Sequence, residues 1–257
     1  VTWDKRDAVK KEASLRLEVA KDEGDLEAMR KFASRTTKLN KERINDAKEV
    51  ITLLGLPIVQ APSEGEAQAS AMLADGTGYA CISQDYDNLI FGCPKLIRNL
   101  TIAGRRKRTG KLGTVKVEAE ELLLADNLGN LGITHEQLIY LAILVGTDYN
   151  PAGIKGIGQK KALKLIKENK GTIDELFKSL NWDEHYPDLR YQELFTTIKD
   201  MPTIKTPNLE WHDPNEDKLV ECLVKRHGFS EDRVRSKLQR LQDAKKAKAQ
   251  KGLGDWF

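Results

Sequence analysis

The spacing of apolar residues divides the chain into strand-like and helix-like segments. The clearest amphipathic stretch, 40–54, carries its apolar residues on one helical face. Strands that alternate with helices are typical of an α/β domain, so we expect a mostly parallel central sheet flanked by helices. The predicted strands are 56–60, 79–83, 95–100 and 114–118, and the predicted helices are 40–54, 63–73 and a short turn or helix at 87–91.

The two ends of the chain have a different pattern. Residues 5–35 form a highly charged helical stretch with few large apolar residues, so this stretch either projects or covers another part of the protein. From Ala119 onward the pattern is almost wholly helical, with proline-containing loops near 186–187 and 201–214. Residues 243–251 are rich in lysine and alanine and predict a flexible tether.

Composition adds charge to this picture. Hydrophobic residues make up 40% of the 257 residues and charged residues 32%, and the net charge is only +3. Basic residues nevertheless concentrate at 105–108, 155–170 and 245–251, which favours a partner with phosphates along a line, although any single cluster could be a solvated face. No apolar run reaches the ~18 residues of a membrane helix, and no signal-peptide pattern opens the chain, so we expect no membrane association.

The cysteines and histidines have no metal-ligand spacing. Cys81, Cys93 and Cys222 leave an odd thiol. Cys81 lies in an apolar run, so we expect it to be buried rather than in a disulfide, which favours a reducing, intracellular compartment. The four histidines are scattered along the chain, and none is favoured as a ligand.

Five carboxylates mark the candidate chemical site. Glu64 and Glu66, Asp85 and Asp87, and Asp148 lie where a strand or helix is expected to end near a crevice. Carboxylates that converge on one place repel each other and need cations to stay ionised. Oxygen ligands without histidine or cysteine favour Mg²⁺ or Mn²⁺ over zinc, so the pattern predicts a phosphodiester-cutting site.

Each carboxylate segment also has a structural alternative. Ser63 and Glu66 fit a helix capping box, but a cap does not require Glu64. Asp87 could cap a helix, but a cap uses one of the two aspartates, and the carboxyl end of a buried strand is where α/β sheets bind ligands. Asp148 could be a solvated loop residue, but it follows an apolar helix and meets the unfavourable end of the helix dipole, which a cation would offset.

A glycine-rich turn follows Asp148. Its glycines, Gly153, Gly156 and Gly158, allow the backbone to approach a phosphate closely, and the next helix would offer its first amide groups. A simple tight turn between two helices is the alternative. The basic side chains placed to contact phosphates are Lys155, Lys160, Lys161 and Lys164.

The chain closes with a short aromatic motif after the basic tether. Gln250, Leu253, Trp256 and Phe257 have the pattern of sliding-clamp-binding peptides. Exposed aromatic residues at a terminus favour a pocket on a partner. The alternative is that the aromatic residues fold back onto the core.

Three segments carry a resemblance to a known family: APSEGEAQA (61–69), SQDYDNLIFG (83–92) and LVGTDYNPAGIKGIGQKKAL (144–163). They are similar to the structure-specific 5′ nucleases, and most to the archaeal-type flap endonucleases. The resemblance runs from about Arg6 to Phe257 and implies a PIN-like 5′ nuclease fold with a helix–two-turn–helix DNA-binding region. The implied regions are 1–36, a remnant of a helical arch; 37–133, an α/β core with the metal carboxylates; 134–240, a helical DNA-binding region; and 241–257, a flexible tail with the clamp-binding peptide.

The resemblance also implies an activity and its parts. A structure-specific 5′ flap endonuclease cuts branched DNA with two Mg²⁺ ions, for which Mn²⁺ can substitute, in replication and repair. It would act as a monomer with a PCNA-type sliding clamp, in the cytoplasm of an archaeal-type cell or in a eukaryotic nucleus, and K⁺ would bind at the helix–two-turn–helix loop. The implied catalytic residues are Glu64, Asp85, Asp87, Asp148 and Arg6, Glu66 joins the four carboxylates as a metal ligand, and Arg98, Arg105 and Arg106 join the glycine-rich turn as DNA contacts.

The chain departs from the family at its beginning. Family members have a longer N-terminal stretch with a first strand and two more metal-binding aspartates, and Val1 falls where the family has its helical arch. We therefore expect this chain alone to cut poorly or not at all. The rival hypothesis is a non-catalytic, clamp-tethered DNA-binding module or one part of a split nuclease, and a relative that cuts bubbles or four-way junctions is a third.

Overall fold

The structure is a computed structural model that describes residues 2–25, 28–29, 32, 40–101, 104–107 and 114–249. The chain forms two compact units. The first combines Trp3–Val59 with Pro207–Phe257, and the second is Gln60–Thr206. The functional regions predicted from the sequence divide the chain at other points and stay a prediction.

Helices dominate both units, and the strands lie in the second. The strands are β1 (Cys81–Ile82), β2 (Lys95–Arg98), β3 (Gly104–Lys107), β4 (Thr114–Val117) and β5 (Glu120–Leu123). The helices are α1 (Thr2–Asp22), α2 (Lys41–Leu53), α3 (Gly65–Ala74), α4 (Asp87–Ile90), α5 (Leu124–Leu131), α6 (His135–Val145), α7 (Gln159–Glu168), α8 (Ile173–Ser179), α9 (Trp182–His185), α10 (Tyr191–Lys199), α11 (Glu216–Val220), which continues as a π helix (Glu221–Arg226), and α12 (Glu231–Ala249).

The first unit packs α2 against the C-terminal helices. The side chain of Asn40 begins α2 by accepting a hydrogen bond from the Arg43 backbone N–H at 2.9 Å. The apolar face of α2 then contacts a small core that includes Leu219 and Leu238. The amphipathic pattern predicted for 40–54 is therefore confirmed, with helix ends within one residue of the prediction.

The strand predicted at 56–60 is absent from the structure, which has no regular element there. Gly55, with φ +76°, turns the chain, and its carbonyl accepts a hydrogen bond from the His212 N–H at 3.0 Å. The Asn215 N–H donates to the Leu53 carbonyl at 2.8 Å. The backbone after α2 therefore pairs with an irregular loop, and Pro57 could not have donated to a strand partner in any case.

The second unit contains a three-stranded sheet with the order β1-β2-β5. β1 pairs with β2 in parallel and β2 pairs with β5 in antiparallel orientation. The sheet is therefore mixed, whereas the sequence predicted a mostly parallel one. β5 lies in a segment that we predicted to be helical, because glutamate and leucine favour helices. Pairing with β2 overrides that helix propensity. Leu96 in β2, the central strand of this sheet, is fully buried.

The basic segment between the predicted strands 95–100 and 114–118 contains a further strand, β3. β3 pairs with β4 in antiparallel orientation, from Gly104 opposite Val117 to Lys107 opposite Thr114. These two strands form a separate sheet rather than a continuation of the first one.

The main core of the second unit lies among α6 to α10. Ile139, Ile143 and Leu144 on α6 are fully buried, and aromatic rings pack beside them. Phe177 stacks on Tyr191 with ring centroids 3.9 Å apart and meets the Trp182 ring edge-on at 5.4 Å. This packing holds α6 rigidly, and the turn that follows α6 carries part of the candidate site.

Two further sequence expectations concern the described residues. Cys81, Cys93 and Cys222 are free and buried, which confirms the prediction made for Cys81. No single helix in the described part of the chain is long and apolar enough to cross a membrane, although α5 and α6 would pass by length and composition as a pair bent by 75°.

Candidate active site

Carboxylates from three separate segments line one cavity in the second unit. Glu64 and Glu66 come from the start of α3, Asp87 is the first residue of α4, and Asp148 lies in the turn after α6. The cavity has a volume of about 70 Å³ and is lined as well by Thr147 and Tyr149, among others. Side chains that are up to 84 residues apart in sequence are thus brought together by the packing of α3, α4 and α6.

Buried polar side chains fix α3 against α4. Asn88 and Ser70 are 2% and 1% exposed. The Asn88 amide donates to the Glu66 carbonyl at 3.2 Å, and the Ser70 hydroxyl is 3.2 Å from the Asn88 carbonyl. Buried hydrogen bonds of this kind are costly to break, so they hold Glu66 and Asp87 in a constant relative position.

Asp85 lies beside the cavity rather than on its wall. Its backbone N–H donates to the Ser83 hydroxyl at 3.1 Å, and its carboxylate accepts from the Tyr86 backbone N–H at 3.1 Å. The side chain is exposed, as is the residue as a whole. Its negative charge nevertheless acts on the cavity, because it raises the pKa of Asp87.

The neighbouring carboxylates disfavour the ionised form of Asp87. Burial raises the pKa of Asp87 above its ordinary value, and the neighbouring charges of Asp85, Asp148, Glu66 and Glu64 raise it further, in that order. Desolvation and like charges thus act in the same direction. An ionised Asp87 in this cavity is unfavourable without a compensating positive charge.

The structure does not contain the helix caps that were the alternative explanation for Glu66 and Asp87. The N-cap of α3 is Glu64 rather than Ser63, and no side-chain hydrogen bond caps this helix. The N-cap of α4 is Tyr86, so Asp87 is inside the helix. Glu66 and Asp87 are therefore not explained by capping.

The turn after α6 contains polar residues that the sequence analysis did not select. Tyr149 donates a hydrogen bond from its hydroxyl to Glu64 Oε1 at 3.2 Å. Burial, followed by the charge and hydrogen bond of Glu64 and the charges of Asp148 and Asp87, raises the pKa of Tyr149 to about 12. The sequence signal for a role of Tyr149 was its position next to Asp148, and that position did not indicate where the Tyr149 side chain points.

Asn150 holds this turn from inside. It is 1% exposed, and its amide donates to the Ile143 carbonyl at 2.8 Å. Its Oδ1 accepts from both the backbone N–H and the hydroxyl of Thr147, at 3.1 and 2.6 Å. The backbone between α6 and Asp148 is therefore fixed by one buried amide group.

The glycine-rich turn follows directly. Gly153 is buried with φ +53°, and a Cβ there would lie 2.2 Å from the Val145 carbonyl oxygen, so only glycine fits. Gly156 also has a positive φ of +83° but faces open space. Gly158 is the N-cap of α7 and provides no side-chain cap. The Tyr186 hydroxyl donates to the Gly153 carbonyl at 2.8 Å and attaches this turn to the core.

The lysines of α7 project from the protein. Ala162 and Ile166 are buried against the core, while the basic residues lie on the opposite, solvent-facing side. Lys161 Nζ is 3.5 Å from the Gly156 carbonyl, and Lys164 Nζ is 3.9 Å from a Glu168 carboxylate oxygen. The exposed basic residues of the turn and helix are Lys155, Lys160, Lys161 and Lys164.

Arg98 has partners within the protein. Its guanidinium lies 3.9 Å from the centre of the Tyr86 ring, donates to the Gln84 carbonyl at 3.2 Å, and is 3.4 Å from a Glu120 carboxylate oxygen. The side chain is only 18% exposed. These contacts hold Arg98 within the protein, and its predicted contact with DNA stays a prediction.

The remaining predicted residues have no described side chains. Arg6 lies on α1 in the first unit, and Arg105 and Arg106 lie on β3. The clamp-binding motif is outside the described residues and consists of Gln250, Leu253, Trp256 and Phe257.

The site as described does not form a closed metal cage. Within the described residues, no three carboxylate, imidazole or thiol groups come close enough together to hold a metal ion directly. The donor set around the cavity is nevertheless all oxygen, which suits hard cations. A cavity of about 70 Å³ has room for an ion that keeps part of its water shell.

The fold and one family model define the class of the protein. The family model described as XPG I-region matches residues 55–148, which include all five carboxylates. The catalytic core of Rad2, solved in complex with a DNA substrate, matches with a TM-score of 0.61 and 21% identity over 79% of this chain and 71% of that one. Human GEN1, solved in complex with Holliday junction DNA, matches with a TM-score of 0.60 and 22% identity, over 77% of this chain and 51% of that one. The α/β fold is therefore a 5′ nuclease fold, as predicted.

Relatives of higher identity narrow this class to one family. Flap endonuclease 1 of Pyrococcus abyssi is 46% identical over 254 residues, which are 99% of this chain and 72% of the relative. That of Staphylothermus marinus is 43% identical over 257 residues, 99% of this chain and 73% of the relative. The structure of flap endonuclease-1 from Methanococcus jannaschii has a TM-score of 0.64 and 34% identity, over 85% of this chain and 62% of that one. The chain belongs to the flap endonuclease family, a family of structure-specific nucleases.

Proposed function

We propose that this chain carries the carboxylate centre of a 5′ flap endonuclease that hydrolyses branched DNA in replication and repair. One observation supports this most: Glu64, Glu66, Asp87 and Asp148 line a single cavity, immediately before a glycine-rich turn and a basic helix. Membership of the flap endonuclease family supplies the reaction class. The cavity supplies the place where it would occur.

The proposed cofactors are two Mg²⁺ ions, for which Mn²⁺ can substitute. Such ions, when bound, supply a strong nucleophile at neutral pH and stabilise negative charge on the departing oxygen. The residues that would hold them are Glu64, Glu66, Asp87 and Asp148, with Asp85 adding charge from outside the cavity wall. The raised pKa of Asp87 supports this proposal, because positive charge would reverse the unfavourable ionisation that the cavity imposes.

We further propose that the glycine-rich turn and α7 hold the phosphates of the DNA duplex. Gly156 faces open space, the first turn of α7 has no side-chain cap, and the α7 lysines are exposed. Together these provide backbone amides and positive charge on one surface. K⁺ binding at this loop, which the family resemblance implies, is also part of the proposal.

Other parts of the predicted function remain proposals without described side chains. Arg6 would steer the scissile phosphate, and Arg105 and Arg106 would contact DNA from β3. The motif at 250–257 would bind a PCNA-type sliding clamp, with the nuclease itself a monomer. An archaeal-type cytoplasm, or a eukaryotic nucleus, is the compartment in which such a DNA-processing enzyme would act.

A non-catalytic DNA-binding module is the second candidate. The absence of a direct three-residue metal cage among the described residues favours it. Such a protein would bind flap DNA with the α7 surface and would not respond to divalent cations. The two candidates thus differ in a property that can be measured without any cleavage assay.

Binding of Mg²⁺ distinguishes the two candidates. We expect titration of the protein with MgCl₂ to give heat of binding and a rise in thermal midpoint, and we expect Asp148→Asn to remove both. Asp75→Asn, which changes an exposed carboxylate at the opposite end of α3, is the matched control and should behave as the parent. A parent protein that binds a 5′ flap substrate but not Mg²⁺ would support the non-catalytic module instead.

A further inference from the structure

We infer that Tyr149 is a positioning residue that holds Glu64 in place through its hydroxyl group, an inference that rests on the proposed function. Tyr149 lines the same cavity as the carboxylates. Its hydroxyl donates a hydrogen bond to Glu64 Oε1 at 3.2 Å, across 85 residues of sequence. This contact joins the start of α3 directly to the turn that carries Asp148.

The hydroxyl of Tyr149 is itself held by a rigid turn. The Tyr149 backbone N–H donates to the Thr147 hydroxyl at 3.2 Å, and that hydroxyl in turn donates to Asn150 Oδ1 at 2.6 Å. Asn150 is almost fully buried and donates to the Ile143 carbonyl at the end of α6. The chain of hydrogen bonds therefore runs from the helical core to a carboxylate of the cavity.

Glu64 needs such a partner because its own helix does not hold its side chain. It is the N-cap residue of α3, yet no side-chain hydrogen bond caps that helix. A glutamate side chain loses considerable rotamer freedom when it is fixed in one position. A neutral donor that fixes Oε1 beforehand would lower the entropic cost of binding a cation through Oε2, without placing a positive charge in the cavity.

The test is the Mg²⁺ concentration at which thermal stabilisation is half-maximal. Tyr149→Phe keeps the ring and removes only the hydroxyl. We expect it to raise that concentration about tenfold, at the lower end of the effect of residues that orient metal ligands. The thermal midpoint without Mg²⁺ should change little, because the side chain is 37% exposed and its hydrogen bond is to a partly solvated group.

Tyr191→Phe is the matched control. The Tyr191 hydroxyl also donates to a carboxylate, that of Asp174, in the same unit but outside the cavity. Tyr191 is buried, so the loss of this hydrogen bond should lower the thermal midpoint. It should leave the Mg²⁺ dependence unchanged, which separates an effect on stability from an effect on the cavity.

A double substitution tests whether Tyr149 acts through Glu64. In a Glu66→Gln background, Tyr149→Phe should still raise the Mg²⁺ concentration for half-maximal thermal stabilisation about tenfold. In a Glu64→Gln background it should raise that concentration less than twofold. An unchanged Mg²⁺ dependence of Tyr149→Phe, or an equal loss in both backgrounds, would overturn the inference while leaving the proposed metal site intact. A parent protein without any response to Mg²⁺ would overturn both.

Discussion

The aromatic core and the acid cavity lie in the same unit but are built on opposite principles. In the core, Phe177, Tyr191 and Trp182 pack ring against ring, and the Asp174 carboxylate accepts a hydrogen bond from Tyr191. In the cavity, four carboxylates face each other, with Tyr149 as a donor to Glu64. We expect the core to add stability and the crowded carboxylates to reduce it, because burial and neighbouring negative charges raise the pKa of Asp87. A region that costs stability in the free protein is a strong candidate for a functional one.

The largest expected effect is on the core side of this comparison. Phe177→Ala removes a ring that is 1% exposed and contacts three other aromatic rings. We expect it to lower the free energy of unfolding by about 3–5 kcal/mol, measured by denaturant titration. The folded fraction should retain its response to Mg²⁺, because no cavity residue is changed. If the variant lost its response to Mg²⁺ at low temperature and without denaturant, the core and the cavity would not be independent of each other.

The turn between the two regions gives the next largest effect. Gly153→Ala places a Cβ against the Val145 carbonyl in a left-handed conformation, so we expect a loss of about 2–3 kcal/mol in the free energy of unfolding. Gly156→Ala is the control, since its φ is also positive but the added Cβ meets open space, and it should cost about 1 kcal/mol. Equal losses for the two variants would mean that backbone strain, rather than the close approach at Gly153, is the cause.

A smaller effect concerns the basic surface beyond the turn. The double variant Lys160→Ala with Lys161→Ala should weaken duplex binding uniformly across DNA sequences and reduce the slope of log affinity against log salt by about 2. Lys178→Ala, which removes an exposed lysine of α8, serves as the control. Fluorescence anisotropy at several salt concentrations provides the measurement. A loss that depended on DNA sequence would contradict a phosphate-only contact.

The smallest effect sharpens the electrostatic side of the comparison. Asp87→Asn should raise the thermal midpoint of the Mg²⁺-free protein by about 2–4 °C at pH 7. Because the pKa of Asp87 is raised by folding, the stability linked to its protonation is present at low pH and is lost as the pH rises through the folded-state pKa. The advantage of Asp87→Asn should therefore disappear below the pKa of an unfolded aspartate. A variant that is less stable than the parent at pH 7 would contradict mutual repulsion in the cavity.

Local patterns predicted the elements that carry the site. The helices that begin near Glu64 and Asp87 and the strand before Asp85 lie within about two residues of their predicted positions, because their apolar spacing and flanking residues act over a few neighbours. The sequence pattern did not predict β5, which has a helix-prone composition and becomes a strand by pairing with β2. It also predicted a strand at 56–60, where the chain instead pairs with the loop around His212.

The choice of the carboxylates and the expectation that they converge came from the sequence, but which of them line the cavity did not. Residue types and the resemblance to the flap endonucleases selected five acidic residues, and the structure puts four of them on one cavity wall with Asp85 at its edge. Likewise, the sequence selected Arg98 as a DNA contact, and the structure provides it with partners at Tyr86 and Glu120. Contacts between residues so far apart in sequence leave no local signal.

The sequence by itself thus determined the family, the oxygen-rich chemistry and the position of the glycine-rich turn, because each depends on residue type and short-range spacing. Only the tertiary structure decided that the carboxylates share a cavity, that the pKa of Asp87 is raised, and that Tyr149 reaches Glu64. Burial, charge repulsion and hydrogen-bond geometry depend on distances between elements. Those distances are set by how α3, α4 and α6 pack, which no pattern along the chain encodes locally.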